Sequence, residues 1–227
     1  MASLHHLRGV IFDMDGVLCD SEPFICEAAC RMFAERHATV VQPEDFVPFV
    51  GAGENRYLGG VAEKHGITLN MPSDKQQTYA IYLELIQNRL QPLPGAVEFI
   101  RACKSAKLAL AVATSADHVK MQGNLKQIGV PPETFAAIVT GSEIERKKPF
   151  PDIFQLAAER LSLAAEACLV IEDAPNGIQA GKAAGSLCLG LTTSFDEKTL
   201  RAAGADFIAP DLAHVPASVF DHLGLAR

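Results

Sequence analysis

Two aspartates, Asp13 and Asp15, follow a short apolar segment and are separated by one residue, with Gly16 next in the chain. Carboxylates crowded together repel one another unless a cation or a proton lies between them. Such a pair suits a divalent metal together with nucleophilic and general-acid chemistry. Taken alone, the pair is explained equally well by a solvated loop that contains the sequence DMDG.

Two further segments carry groups that could bind an anion. Thr114, Ser115 and Ala116 follow an apolar run and open a helical pattern, so hydroxyl and backbone N–H groups meet there at a helix N-terminus. A simple helix cap is the alternative. Lys148 ends a basic cluster before a proline and could neutralise phosphoryl oxygens. A solvated basic patch is the alternative for that cluster.

A second pair of acids, Glu172 and Asp173, ends another apolar run. Hard oxygen ligands of this kind suit magnesium, and capping of the following helix is the alternative interpretation. Acids, hydroxyl groups, a lysine and acids, in that order along the chain, form a coherent set for phosphoryl transfer.

These residues must be positioned by the elements that precede them. Short apolar runs alternate with helical patterns, which predicts an α/β fold with a doubly wound parallel sheet covered by helices on both faces. In such sheets, ligands bind beyond the carboxyl ends of the strands. The predicted strands are Gly9 to Phe12, Leu108 to Ala113, Ala137 to Val139, Cys168 to Ile171, Leu187 to Leu191 and Asp206 to Ile208.

Residues 21–87 break this alternation, because they show helical periodicity and turn signals without a convincing strand. We therefore predict an α-helical cap domain at 21–87, inserted into an α/β core formed by residues 1–20 and 88–227. The chain is expected to return to the core at the Pro- and Gly-rich stretch 91–95.

The segments FDMDGVLCDSE, VATSAD, KKPFPDIF and VIEDAPNGIQAGKAAG together resemble the four motifs of the haloacid dehalogenase-like (HAD) hydrolase superfamily. The resemblance covers essentially the whole chain and is to the β-phosphoglucomutase and phosphoglycolate phosphatase branch, which has a Rossmann-like core and a small helical cap. It implies that Asp13 attacks phosphorus and becomes an aspartyl phosphate, while Asp15 acts as general acid and then as general base. Thr114 would bind the transferring phosphoryl group, and Lys148 would neutralise it.

The same resemblance implies a magnesium cofactor, Mg²⁺. Asp13, the backbone carbonyl of Asp15, and Asp173 would hold the ion, with Glu172 beside or behind them.

The cap decides between phosphatase and phosphomutase in this branch. The mutases resembled here carry a His shortly after the first motif, where this chain has Phe24-Ile25, and basic residues around the cap loop, where it has Glu54 with Arg56 nearby. This departure favours a phosphatase acting on a sugar phosphate or a similar phosphomonoester. A β-phosphoglucomutase-like sugar phosphomutase and a non-catalytic phosphate-binding module are the alternatives.

The predicted substrate-binding residues are Glu22, Gly51, Glu54, Asn55 and Arg56 in the cap and Ser115 and Ala116 in the core. Solvated charges on the cap surface are the alternative for the charged members of this set. The stretch GAGENR also resembles a domain of a multidomain plant chloroplast protein.

Composition limits the partners that we expect. A formal net charge of -7 disfavours nucleic acid, and the sequence contains no run of about 20 apolar residues that would span a membrane. We expect a monomer that binds a small-molecule phosphate ester. The N-terminal residues lack the pattern of a signal peptide, which predicts a cytoplasmic location. The six cysteines are expected to be reduced and structural.

Overall fold

The computed structural model describes residues 7–225, and a six-stranded parallel sheet forms its centre. The strands are β1 (Gly9–Phe12), β2 (Ala109–Thr114), β3 (Ala137–Thr140), β4 (Cys168–Glu172), β5 (Leu187–Leu191) and β6 (Phe207–Ala209). Their spatial order is β3-β2-β1-β4-β5-β6, and all neighbouring strands are parallel. This confirms the predicted doubly wound α/β class. The order reverses between β1 and β4, where such sheets open a crevice at their carboxyl edge.

The strands differ from the predicted ones mainly at their ends. β1 and β5 have the predicted bounds, and β6 is shifted by one residue, to Phe207–Ala209. β2, β3 and β4 each end one residue later than predicted, at Thr114, Thr140 and Glu172. The parallel ladder continues through these polar residues, because Thr114 pairs with Thr140 and Glu172 pairs with Gly190. Polar side chains therefore occupy the last strand position at the carboxyl edge.

Both faces of the sheet are buried, as expected when helices cover a parallel sheet on both sides. Along β1, Val10 and Phe12 belong to one hydrophobic cluster and Ile11 belongs to the other. Phe12 contacts Phe99 and Phe135 edge to face, with ring centroids 6.3 and 6.2 Å apart. β1 is thus fixed from both sides, and the residues that follow it start from a rigid base.

Nine α-helices surround the sheet in the described part of the chain. They are α1 (Glu22–His37), α2 (Glu54–Lys64), α3 (Met71–Leu85), α4 (Ala96–Ser105), α5 (His118–Gln127), α6 (Asp152–Arg160), α7 (Pro175–Ala184), α8 (Glu197–Ala202) and α9 (Ala217–Leu223). Helices α1, α2 and α3 lie between β1 and β2, and within residues 7–225 no strand interrupts them. The name "the cap" denotes residues 21–87, whose status as a separate domain stays a prediction.

The two segments that connect the cap to the sheet run side by side. The N–H of Leu93 donates to the carbonyl of Leu18 at 2.9 Å, and Cys19 forms an antiparallel bridge with Pro92. A further contact joins α3 to α5, where the Tyr82 hydroxyl donates to the side-chain oxygen of Asn124. The cap therefore leaves and rejoins the sheet at one place and is also held against α5.

Gly95, which precedes α4, lies close to the backbone at Ala213. Its φ is 77°, and a Cβ there would lie 2.1 Å from the backbone nitrogen of Ala213. Because a backbone atom cannot be displaced as a side chain can, Gly95→Ala should lower the free energy of unfolding by about 3 kcal/mol or more in urea titrations.

Gly129→Ala is the matched control. Gly129 has a φ of 70°, but a Cβ there would meet nothing within 4 Å. It should cost about 1 kcal/mol, the strain of the left-handed conformation alone. Equal losses for the two variants would show that close backbone approach at Gly95 is not the cause.

Candidate active site

A buried lysine joins two strand ends at the carboxyl edge of the sheet. Lys148 Nζ lies 2.5 Å from Asp13 Oδ1, directly after β1, and 2.6 Å from Glu172 Oε1, at the end of β4. The Lys148 side chain is 5% exposed. Burial alone would lower its pKa, but the two carboxylates outweigh burial and raise it, so Lys148 is held as a cation.

The neighbouring acids are only partly compensated by this lysine. Burial, with repulsion from Glu172, raises the pKa of Asp13 to about 7 against the attraction of Lys148. Burial likewise raises the pKa of Asp173 well above its usual value, with Glu172 and Asp13 adding to the effect. Three buried carboxyl groups therefore share one cation, and the site favours a further positive charge.

Both carboxylate oxygens of Glu172 accept hydrogen bonds from the protein. One oxygen accepts from Lys148, and the other accepts from the N–H groups of Asp173 at 2.9 Å and Ala174 at 3.0 Å. Its contacts therefore describe a residue that holds Lys148 and the turn before α7. The role of Glu172 as a metal ligand stays a prediction.

The side chain of Asp15 accepts hydrogen bonds from two donors. Its Oδ1 accepts from the Ser21 hydroxyl, and its Oδ2 lies 3.0 Å from Lys120 Nζ. Lys120 comes from α5, and its side chain is 5% exposed. Burial alone would lower the pKa of Lys120, but Asp15 and Glu54 outweigh it and raise the pKa well above its usual value. The carboxylate of Asp15 is thus oriented toward the cap.

The turn after β2 presents hydroxyl and backbone groups. Thr114 is 1% exposed, and its Oγ1 accepts from the N–H of Ala116 at 3.1 Å. The hydroxyl proton of Thr114 remains available to an anion, and the N-terminus of α5 lies a few residues farther on.

A cavity of about 420 Å³ lies between the strand ends and the cap. The predicted residues that line it are Asp13, Asp15, Glu22, Gly51, Glu54, Thr114, Ser115, Ala116, Lys148, Glu172 and Asp173. The structure thus brings all the predicted core residues into one space with three of the predicted cap residues.

Two predicted cap residues are placed elsewhere. Asn55 is exposed and accepts from Lys75 at 2.9 Å. The Arg56 side chain is 53% exposed, donates to Glu63 at 2.9 and 3.1 Å, and lies over the ring of Phe49. Neither lines the cavity. The physical reason lies in helix α2, where Glu54 faces the core while the next two residues turn toward solvent. Their predicted contact with substrate gains no support from this placement.

The lining residues that were not identified from the sequence include Tyr57, Lys120 and Ser194. Ser194 follows β5, so the rule that polar residues after strand ends form the site could have found it. Lys120 and Tyr57 lie within helices, and no local sequence pattern indicates that their side chains line the cavity. Their burial depends on how the cap meets α5.

The residues at the strand ends fit a hard divalent cation. Asp13 and Asp173 are buried carboxyl groups without full compensation, and a Cβ on Gly16 would lie 1.9 Å from Asp173 Oδ2. Gly16 thus lets Asp173 reach the backbone of the first loop. Within residues 7–225, no cluster of three or more acids, histidines or cysteines is placed to hold a metal by itself. Magnesium binds through one or two carboxylates and completes its shell with water and phosphate, so the pair suffices.

The cysteines and the helices of the structure bear on disulfide bonding and on membrane crossing. All six cysteines are free, and four of them are buried, as the sequence predicts. None of the helices in the described ranges combines the length and apolar character that a membrane crossing demands.

The sequence matches the family model described as haloacid dehalogenase-like hydrolase over residues 7–185. It is 40% identical over 212 residues to the Arabidopsis thaliana protein SUPPRESSOR OF QUENCHING 1, chloroplastic, covering 92% of this chain and 20% of the plant protein. This chain therefore spans about a fifth of that relative's length.

A second relative and a solved structure match over nearly their whole lengths. The chain is 31% identical over 201 residues to a phosphorylated carbohydrates phosphatase from Thermotoga maritima, covering 88% of this chain and 92% of that protein. The fold is similar to that of CbbY from Rhodobacter sphaeroides in complex with phosphate, with a TM-score of 0.78 and 25% identity over 91% of this chain and 95% of that one.

The crowded carboxyl groups predict how stability depends on pH without metal. Asp13 has a pKa of 3.8 unfolded and about 7 folded, so the folded protein binds the extra proton between these values. The free energy of unfolding should therefore fall as pH rises from about 4 to about 7, measured by urea titration in EDTA.

Asp13→Asn serves as the comparison, because it removes one of the titrating groups and should make this fall shallower. A stability that rises over the same pH range in the parent protein would contradict the charge balance described above.

Proposed function

Because the chain belongs to the haloacid dehalogenase-like hydrolase family, we propose that it is a magnesium-dependent phosphatase that hydrolyses a small phosphorylated metabolite through an aspartyl-phosphate intermediate. The observation that carries this proposal is the buried contact of Lys148 with Asp13 at 2.5 Å, on the floor of a cavity that Thr114 and Asp173 also line. Similarity to phosphatases such as the Thermotoga maritima protein supports activity as a phosphoric monoester hydrolase.

In the first step, a carboxylate oxygen of Asp13 attacks phosphorus, and the bond from phosphorus to the ester oxygen breaks. Lys148 and the Thr114 hydroxyl donate hydrogen bonds to the phosphoryl oxygens, whose negative charge must be stabilised during transfer. Asp13 and Asp173, with the backbone carbonyl of Asp15, would hold magnesium. The ion, when bound, supplies the positive charge that offsets repulsion between the anionic nucleophile and the anionic phosphate.

Asp15 gives a proton to the departing alkoxide and then takes one from the water that attacks the aspartyl phosphate. That second attack breaks the bond between Asp13 and phosphorus and releases inorganic phosphate. Asp15 is bound by Ser21 and Lys120 in this structure. To donate a proton to substrate, it must exchange one of these contacts for the leaving oxygen.

The cap contributes to this chemistry by covering the strand ends. Val47 and Val50 of the cap and Phe195 of the core line the cavity, yet they are exposed at its mouth. Closure of the cap on substrate would bury these apolar groups and exclude water from the first step. We propose residues 21–87 as that cap and the remainder as the catalytic core.

A phosphatase accounts for the cavity better than a phosphomutase does. A mutase must hold a second phosphate, which calls for a cation on the far side of the cavity. Within the described chain, the lysines and arginines that line the cavity are Lys120 and Lys148, both in core elements and both paired with carboxylates. A non-catalytic module is disfavoured for another reason: buried, partly compensated acids are costly unless they bind something.

Asp13→Asn tests the nucleophile. Because an amide cannot form the aspartyl phosphate, the variant should lose at least about 10³-fold in kcat while remaining folded. Release of phosphate from p-nitrophenyl phosphate with magnesium measures turnover, and thermal unfolding checks the fold. Turnover at the parental rate would remove Asp13 from the mechanism.

Asp15→Asn tests the general acid. An alkyl phosphate has a poor leaving group that needs a proton, whereas p-nitrophenolate leaves without one. The variant should therefore lose about 10²-fold or more in kcat on an alkyl phosphate and clearly less on p-nitrophenyl phosphate. Equal losses on both substrates would mean that Asp15 does not protonate the leaving group in the first step.

A further inference from the structure

The cap side of the cavity is acidic and carries a buried acceptor without a partner. Two of its lining residues are Glu22 and Glu54, and the remaining ones from the cap are apolar, glycine or tyrosine. Glu54 is 7% exposed, and its Oε2 has no hydrogen-bond partner among the residues described. A buried carboxylate oxygen left unpaired costs free energy that a bound donor would recover.

Glu22 stands next to this acceptor with its orientation fixed. The Tyr57 hydroxyl donates to Glu22 Oε1 at 2.7 Å. Burial raises the pKa of Glu22 to about 7, and burial also raises the pKa of Glu54. Both groups therefore lie in surroundings poor in water, where a hydrogen bond from a substrate is worth more than at the surface.

The basic residues of the cap nearest this region are committed elsewhere. Lys75 lies 2.7 Å from Asp117 and 2.9 Å from Asn55, and Arg56 pairs with Glu63. The nearest cation inside the cavity is Lys120, bound to Asp15 at 3.0 Å. A second anionic group on the substrate would face Glu22 and Glu54 without a free cation, among the residues described, to meet it.

Resting on the phosphatase proposed above, the structure assigns a substrate class: phosphomonoesters whose remaining part is uncharged and carries hydroxyl groups. Glu54 and Glu22 accept hydrogen bonds from those hydroxyls, while the apolar lining, such as Ile25 and Phe49, packs on carbon. The same two acids disfavour substrates with a carboxylate or a second phosphate. Glu54 is thus a residue that determines specificity.

Values of kcat/KM for five compounds test this inference. They are sorbitol 6-phosphate, glucosamine 6-phosphate, phosphoglycolate, fructose 1,6-bisphosphate and p-nitrophenyl phosphate, all with magnesium. We expect sorbitol 6-phosphate to exceed both phosphoglycolate and the bisphosphate by about tenfold or more, the effect of one charged hydrogen bond or one like-charge contact.

The variants Glu54→Gln and Glu84→Gln then make the test specific to one residue. Both replace a glutamate of a cap helix by its amide, but Glu84, in α3, is exposed and does not line the cavity. Glu54→Gln should lower the ratio of kcat/KM for sorbitol 6-phosphate over the bisphosphate by about tenfold, because it removes the charge that disfavours the second phosphate. Glu84→Gln should leave this ratio unchanged.

The outcomes separate this inference from the function beneath it. No magnesium-dependent hydrolysis of any compound, p-nitrophenyl phosphate included, would sink the phosphatase itself. Hydrolysis with a preference for phosphoglycolate or the bisphosphate would leave the phosphatase standing and overturn the substrate class. A preference for glucosamine 6-phosphate would show that the acids bind a cation and would overturn the uncharged class, and an unchanged ratio in Glu54→Gln would remove Glu54 from specificity.

Discussion

The rest of the site depends on one electrostatic constraint, the burial of three carboxyl groups around a single lysine. Lys148 contacts Asp13 and Glu172 at 2.5 and 2.6 Å, and Asp173 lies close enough to both acids for their repulsion to raise its pKa. Such a group of charges is unstable in a protein interior unless further positive charge arrives. The charge balance at this edge of the sheet therefore favours a further cation, which is what the proposed magnesium site would supply.

Sheet topology makes this crowding possible. Asp13 and Lys148 are 135 residues apart in the chain. Asp13 follows β1 and Glu172 ends β4, and because these two strands are adjacent and parallel, the two carboxylates lie at one edge of the sheet. Lys148, in the segment between β3 and α6, reaches this edge and contacts both. Phe12, packed between Phe99 and Phe135, fixes β1 directly before Asp13. The sheet thus fixes the proposed catalytic groups, while the cap that covers them is attached through two adjacent segments.

The sequence predicts the core residues well for the same reason that they are close in space. Asp13, Thr114 and Asp173 stand at or just after strand ends, and alternation of strands and helices is visible in the sequence. The cap residues follow a different rule. Helical periodicity predicts that α2 forms, but which of Glu54, Asn55 and Arg56 faces the core depends on how the cap sits on α5, and no local pattern records this. The burial of Lys120 has the same origin.

Lys120 links the proposed general acid, Asp15, to the acids of the cap. It belongs to a core helix and pairs with Asp15, yet Glu54 and Glu22 of the cap contribute to the rise in its pKa. One buried cation therefore interacts both with the proposed general acid and with the two acids of the cap. In a medium of low dielectric such charges do not act independently. A substrate hydroxyl bound to Glu54, as proposed above, would therefore alter the charge balance around Lys120 and, through it, around Asp15.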